Sequence, residues 1–216
     1  MGSKSRAAAI VNVNPDSAAA LIKLIERKAP EYFDLLTAET DEEFDAAFDA
    51  ILEQAIVHLE TNKRHFAALS EEALTAVLIA KLGIPGLTVT PETHSNGHVD
   101  LTITADHCVP ARKKLGEAKI YKGPSYHIDG VTQLLERYTT GRETRGLLIA
   151  YFKKNDIAGL MGKVRTRMDA ERPCGQCSDS TDHPLKWSFV SRHKLSSGDE
   201  HNVAHIGCNL HVDEGP

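Results

Sequence analysis

A chain of 216 residues, 41% hydrophobic and 25% charged, with a mean hydropathy of −0.29, can bury the core of one domain with an appendage and is too polar for a membrane-embedded protein. Four cysteines are too few for a disulfide scaffold and suit a reducing compartment, and the start, Met1 to Arg6, leads into a short alanine and valine run with neither signal peptide nor membrane span. Those features point to the cytoplasm. The net charge of −5 argues against a nucleic-acid partner only until it is divided: residues 1–109 hold 8 basic and 17 acidic side chains, whereas residues 110–172 hold 14 basic and 7 acidic ones.

The front of the chain reads as helical. Asn14-Pro15 looks like a cap with proline at the first helical position, opening a segment with Leu21, Ile22 and Ile25 on one side. Thr40-Asp-Glu-Glu43 is a capping box for a longer helix striped by Phe44, Phe48, Ile51, Ala55, Ile56 and Leu59. These helices are expected to pack on the rest of the chain, pair with a second subunit or hold a partner. From Ser70 a helix runs through Leu74, Val77, Leu78 and Leu82, with Glu71 and Glu72 in its first turn, and Gly83-Ile-Pro-Gly86 stops it.

Three strands are expected next, Leu87 to Thr90, His98 to Thr104 and Lys113 to Tyr121, then a helix from about Gly130 to Thr139 with Val131, Leu134, Leu135 and Tyr138 on one side. Gly146 to Phe152 is an unbroken apolar run of the kind buried on both sheet faces. Ile157, Leu160, Met161, Val164 and Met168 mark an amphipathic helix, and strands at Trp187 to Ser191 and Val203 to Val212 close the chain. In the last strand, alternation from Ala204 to Val212 sends Cys208 into the core and His205 away from it.

The chemistry concentrates in Gly97-His98-Val99-Asp100-Leu101-Thr102-Ile103 and Gly116-Glu117-Ala118-Lys119-Ile120-Tyr121. Strand alternation puts Glu117, Lys119 and Tyr121 on one face, so an aspartate, a glutamate and a lysine converge on one patch. Converging carboxylates raise each other's pKa unless a cation neutralises them, and a hard divalent ion with oxygen ligands is the usual solution. Phosphodiester hydrolysis needs such an arrangement: an activated water, in-line attack and neutralisation of charge on the phosphoryl oxygens. Asp100 and Glu117 are expected to hold Mg2+ or Mn2+ with the Ala118 carbonyl, and Lys119, about 7 Å along the strand from Glu117, to stabilise charge and orient water or act as general base.

The element order from Ser70 to Phe152, helix, three strands, helix, strand, resembles the PD-(D/E)XK nuclease superfamily, as do Asp100, Glu117-Ala118-Lys119 and Gln133 within Gln133-Leu-Leu-Glu-Arg-Tyr138. Val99 stands where the superfamily has its eponymous proline. The resemblance implies an α/β, restriction endonuclease-like core, αβββαβ with a mixed central sheet flanked by helices, over residues 70–216, and leaves 1–69 as an N-terminal helical extension. It implies a magnesium-dependent endonuclease of the bacterial restriction and phage-defence branches, favouring DNA over RNA and working as a homodimer or within a larger defence complex. Gln133 would orient water or phosphate, and Glu71, closer to the inward face than Glu72, would be an outer metal ligand. The competing expectation is a catalytically inactive nuclease-fold module that binds nucleic acid or a protein.

Other residues carry weaker signals. His98 is expected on backbone or nucleic acid, and Lys122, Arg142, Arg145, Lys153 and Lys154 are candidates for phosphate contact. Cys174-Gly-Gln-Cys177 has the spacing of half a zinc site that His205 and Cys208 would complete, but one pair is not two, and reduced thiols are the favoured reading over structural Zn2+.

Overall fold

The computed structural model describes residues 15–91, 100–143 and 145–213. Helices α1 (Pro15–Lys28), α2 (Pro30–Thr37), α3 (Asp41–Thr61), α4 (Lys63–Phe66) and α5 (Glu71–Leu82) precede strands β1 (Thr88–Pro91), β2 (Leu101–Ala105) and β3 (Arg112–Ile120). Helix α6 (Pro124–Thr132) runs into a π turn, Gln133–Tyr138, followed by β4 (Gly146–Phe152), α7 (Ile157–Glu171), β5 (Thr181–Asp182), β6 (Phe189–Lys194) and β7 (Glu200–Asn209). The strands form one mixed sheet in the order β1-β2-β3-β4-β7-β6-β5, with β3–β4 and β4–β7 parallel and the other pairs antiparallel. The fold is therefore α/β with a seven-stranded sheet flanked by helices, and among the described residues no helix is long and apolar enough to cross a membrane.

Two apolar layers sandwich the sheet. On one side Phe44, Phe48, Ile51, Leu52 and Leu59 of α3 and Leu74, Leu78 and Leu82 of α5 pack on Leu101, Ile103, Ala118, Ile149, Ile206 and Cys208. The Thr40 hydroxyl accepts from the Glu43 N–H while the Glu43 carboxylate accepts from the Thr40 N–H, so α3 starts where the capping box places it. On the other side Val131, Leu134, Met161, Val164 and Met168 cover Leu115, Leu148, Ala150, Phe152 and Val203. Each large buried side chain contributes roughly 1.5–3 kcal/mol, which makes these two stripes the main stabilising force. The helix before residue 70 thus shares an apolar cluster with the sheet, whereas Leu21 and Ile22 of α1, expected to bury a face, are 57% and 47% exposed.

Several sequence expectations are corrected. The helix expected from Gly130 begins at Pro124, because proline at the first position sets the helical φ and its missing N–H costs nothing there. Helix α2, which starts after Ala29 in the same manner, was not anticipated. The strand expected from Trp187 starts at Phe189, since Trp187 has φ of +57°, and the last strand ends at Asn209, short of Val212. His205 does point away from the face of Cys208, but into the second apolar layer, where it is fully buried against Phe189 and His127.

Candidate active site

Asp100, Glu117, Lys119 and Glu71 meet at one end of β3. The ladder between β2 and β3 ends at Leu101 and Gly116, and carboxylates take over the next outward N–H groups of β3. Asp100 Oδ2 accepts from the Ala118 N–H at 2.8 Å, and Glu71 Oε2 accepts from the Ile120 N–H at 2.6 Å. Buried backbone donors must be satisfied, so these two bonds fix both acids beside the strand. Glu71 reaches this point because Ser70 caps α5, its hydroxyl accepting from the Ala73 N–H, which sets the first turn against β3. Glu72 is exposed and is held below the usual carboxylate range by the Ser70 hydroxyl, so Glu71 is the first-turn acid that joins the group.

Alternation along β3 places Glu117 and Lys119 on the α6 side. Lys119 Nζ lies 2.5 Å from Glu117 Oε1 and 3.8 Å from Glu71 Oε1. Glu117 is 2% exposed, and its second oxygen, Oε2, is buried without a hydrogen-bond partner among the described residues. Burial first, then the charge of Asp100, pushes the Glu117 carboxyl up to about 7, while Lys119 works against that rise. Burial also raises Asp100, against the Ala118 N–H and Lys119. Burial pulls Lys119 down, but its bond to Glu117 and the charges of Glu117, Asp100 and Glu71 outweigh it and hold Lys119 as an ammonium. That state suits charge stabilisation and leaves no lone pair for a general base.

Gln133 lies on the helical segment that packs against β3. It opens the π turn one helical step past Gly130, whose absent Cβ would stand 3.5 Å from Lys119 Cγ, and among the described residues its amide bonds to none of Asp100, Glu117 or Lys119. Arg145, expected on phosphate, is buried in ion pairs with Asp49 and Asp45 of α3, and Lys153 donates to the Leu69 carbonyl at 2.6 Å. Lys122 lies over the Tyr126 ring at 4.7 Å, and Arg142 and Lys154 are exposed. His98 and Val99 fall outside the described residues.

The cysteine pair is split between partners. Cys174 Sγ contacts Thr132 Oγ1 at 3.0 Å, and Cys177 Sγ bonds the Arg192 carbonyl at 3.4 Å. Among the described residues no three or more His, Cys, Asp or Glu side chains are grouped so as to hold a metal ion. At the acidic site the Lys119 ammonium neutralises Glu117, and Glu71 is committed to a backbone N–H. The donor set nonetheless fits a hard divalent ion in kind: a buried and a half-buried carboxylate with raised pKa values, the first bearing an oxygen with no hydrogen-bond partner among the described residues.

Sequence reasoning missed a buried hydrogen-bonded array across β6, β7 and α6. His127 Nε2 lies 2.8 Å from His205 Nδ1, Ser191 Oγ lies 2.7 Å from His205 Nε2 and 2.6 Å from His193 Nε2, and His193 Nδ1 lies 3.1 Å from the Cys174 carbonyl. Its only signal was the count of eleven histidines. No family model, curated protein or solved structure matches the chain.

Proposed function

We propose that the chain is a divalent-metal-dependent nuclease with a restriction endonuclease-like core, cutting DNA in bacterial defence or DNA processing. The observation that carries this reading is the convergence of Asp100, Glu117 and Lys119 at one end of β3, with a buried Glu117 oxygen that has no hydrogen-bond partner among the described residues. Asp100 and Glu117 would hold the ion, which when bound supplies a Lewis acid for the phosphate and an acidified water. Asp100 is oriented for this by the Ala118 N–H, and Lys119 by Glu117 and Glu71. In the reaction Lys119, kept as an ammonium, places positive charge where the phosphoryl oxygens gain negative charge. Glu71 holds the end of β3 in register through Ile120, and so positions Lys119 rather than touching substrate.

The test is incubation of the full chain with plasmid, single-stranded DNA and RNA in magnesium, manganese or EDTA. Asp100→Ala and Glu117→Ala should abolish metal-dependent cleavage, and Lys119→Ala should lower it about a hundredfold, with circular dichroism unchanged. Retained cleavage in the first two variants removes the mechanism. A second reading, a binding module that cuts nothing, is favoured by the Lys119 ammonium standing on Glu117 and, among the described residues, by the absence of three or more His, Cys, Asp or Glu side chains grouped so as to hold an ion. Binding of DNA without cleavage in any metal would select it.

A further inference from the structure

A cleft of about 420 Å³ opens between α7 and the start of β6, lined by Ala158, Met161, Arg165, Lys186, Trp187 and Phe189 among others. That volume is within the range of small-molecule sites and suits one nucleobase. Lys186 is exposed and its ammonium lies over the Trp187 ring, 4.4 Å from its centre, so the cation and the aromatic ring form one cation–π pair at the cleft. Asp182 on the same rim is matched by Arg165 at 2.5 Å, and Lys186 stands on the cleft wall with Glu60 near enough to feel its charge.

The backbone is bent to present this pair. Trp187 sits in the left-handed region at φ +57°, an outlier for a bulky residue, and the chain at position 207 makes room for it: a Cβ on Gly207 would stand 2.8 Å from the Trp187 carbonyl. Gly207 is opposite Ala150, and Ala150 is opposite Lys119, so the three form one row across β7, β4 and β3. Adjacent strands are spaced by about 4.8 Å, which puts the row's ends about 10 Å apart. Both ends face the same layer: Gly207 meets Ile157 and Met161 of the α7 side, and Lys119 meets Gly130 of α6.

We infer that this cleft is a base-binding subsite for a nucleic-acid strand whose scissile phosphate lies at Lys119, Trp187 contacting a flanking base and Lys186 its phosphate. The inference rests on the nuclease reading above. Single-strand grooves combine these two elements, a cation that tracks the backbone and an aromatic ring that takes a base of any identity. No sequence reader is needed for such contact, so the subsite gives position along the strand rather than base preference.

Trp187 is the only tryptophan of the chain, so its fluorescence reports the cleft directly. Short oligothymidylate titrated into the full chain in EDTA should quench it over the concentrations at which a labelled strand gains anisotropy. By anisotropy, Trp187→Ala should weaken the strand about tenfold, Trp187→Phe should retain most affinity, and Lys186→Ala, at an exposed position, should weaken it while melting as wild type. Thymidine monophosphate is the second probe. Quenching by the monophosphate at the concentrations that suffice for the strand would make the cleft a free-nucleotide site and overturn the inference, as would no quenching or unchanged binding by Lys186→Ala. If wild type cuts the strand with magnesium while Trp187 stays silent, the subsite alone falls. If it neither binds nor cuts, the nuclease reading falls with it.

Discussion

Glu117 has an ordinary pKa of 4.5, and burial together with Asp100 raises it to about 7 in the folded chain. A carboxyl raised on folding binds its proton more tightly in the native state, so its contribution to stability is complete below 4.5 and is lost as pH climbs through about 7. Glu117→Gln removes that loss. The metal-free variant should therefore be more stable than wild type at pH 8 by on the order of 1 kcal/mol, less than the full shift implies because Lys119 loses its bond to the Glu117 carboxylate. Near pH 5 the two should be nearly equal; urea unfolding at both values checks this, and a variant less stable at pH 8 would contradict it. Glu117 and Lys119 were legible in the sequence because strand alternation fixes the face they share, whereas Asp100 lies just before β2 and is held by the Ala118 N–H. The π turn that begins at Gln133 was not legible, since a period of 3.6 cannot anticipate a change of helix type.

Helix α6 shows why hydropathy misplaced an element. Its buried residues include His127 and Gly130, which no apolar stripe would mark, and they are tolerated because His127 bonds His205 and Gly130 lets Leu148 approach. Burial holds His127 down to about 3, and also lowers His205, His193 and His201, so these rings stay neutral in the fold while the unfolded chain protonates them. Groups depressed in this way lend stability above the ordinary histidine value and lose it as pH falls through the window from about 6.5 towards 3. The raised carboxyls of Glu117, Asp100 and Glu60 act in the opposite sense. With four rings against three acids, and the Glu117 term already complete by pH 4.5, stability should drop between pH 6 and pH 4 in urea melts, and His127→Gln should lessen the drop. A flat profile would contradict it. Helix α3 was legible from its capping box and stripe, but its second anchor was not: Asp49 binds the buried Arg145 guanidinium through both oxygens, and His183 adds a contact at 3.2 Å. Asp49→Ala removes both hydrogen bonds from that guanidinium and leaves it Asp45 at 3.6 Å, so it should cost roughly 3 kcal/mol, read from the shift in denaturant midpoint. Strand β4 was read with its observed bounds because a wholly buried parallel strand carries an unbroken apolar run.

Across the whole molecule, charge is divided by region while the net value is small. The acidic front supplies α2 and α3, and the excess of basic side chains lies between residues 110 and 172, the span that contains β3, α6, β4 and α7. Several of those cations are spent internally, Lys114 on Asp45 and Arg145 on Asp49, so fewer reach a phosphate backbone than the raw balance suggests. Strand affinity should fall with salt along a slope set by the remaining contacts, and a slope near zero between about 50 and 200 mM salt would contradict a phosphate-bearing partner. Metal-dependent cleavage requires Asp100 and Glu117 to share one divalent ion. Calorimetric titration of manganese into the full chain at pH 7.5 tests this directly: one ion should bind per chain with release of protons from the raised carboxyls, and Asp100→Asn or Glu117→Gln should abolish the heat. Binding unchanged in both variants, or no binding by wild type, would contradict it.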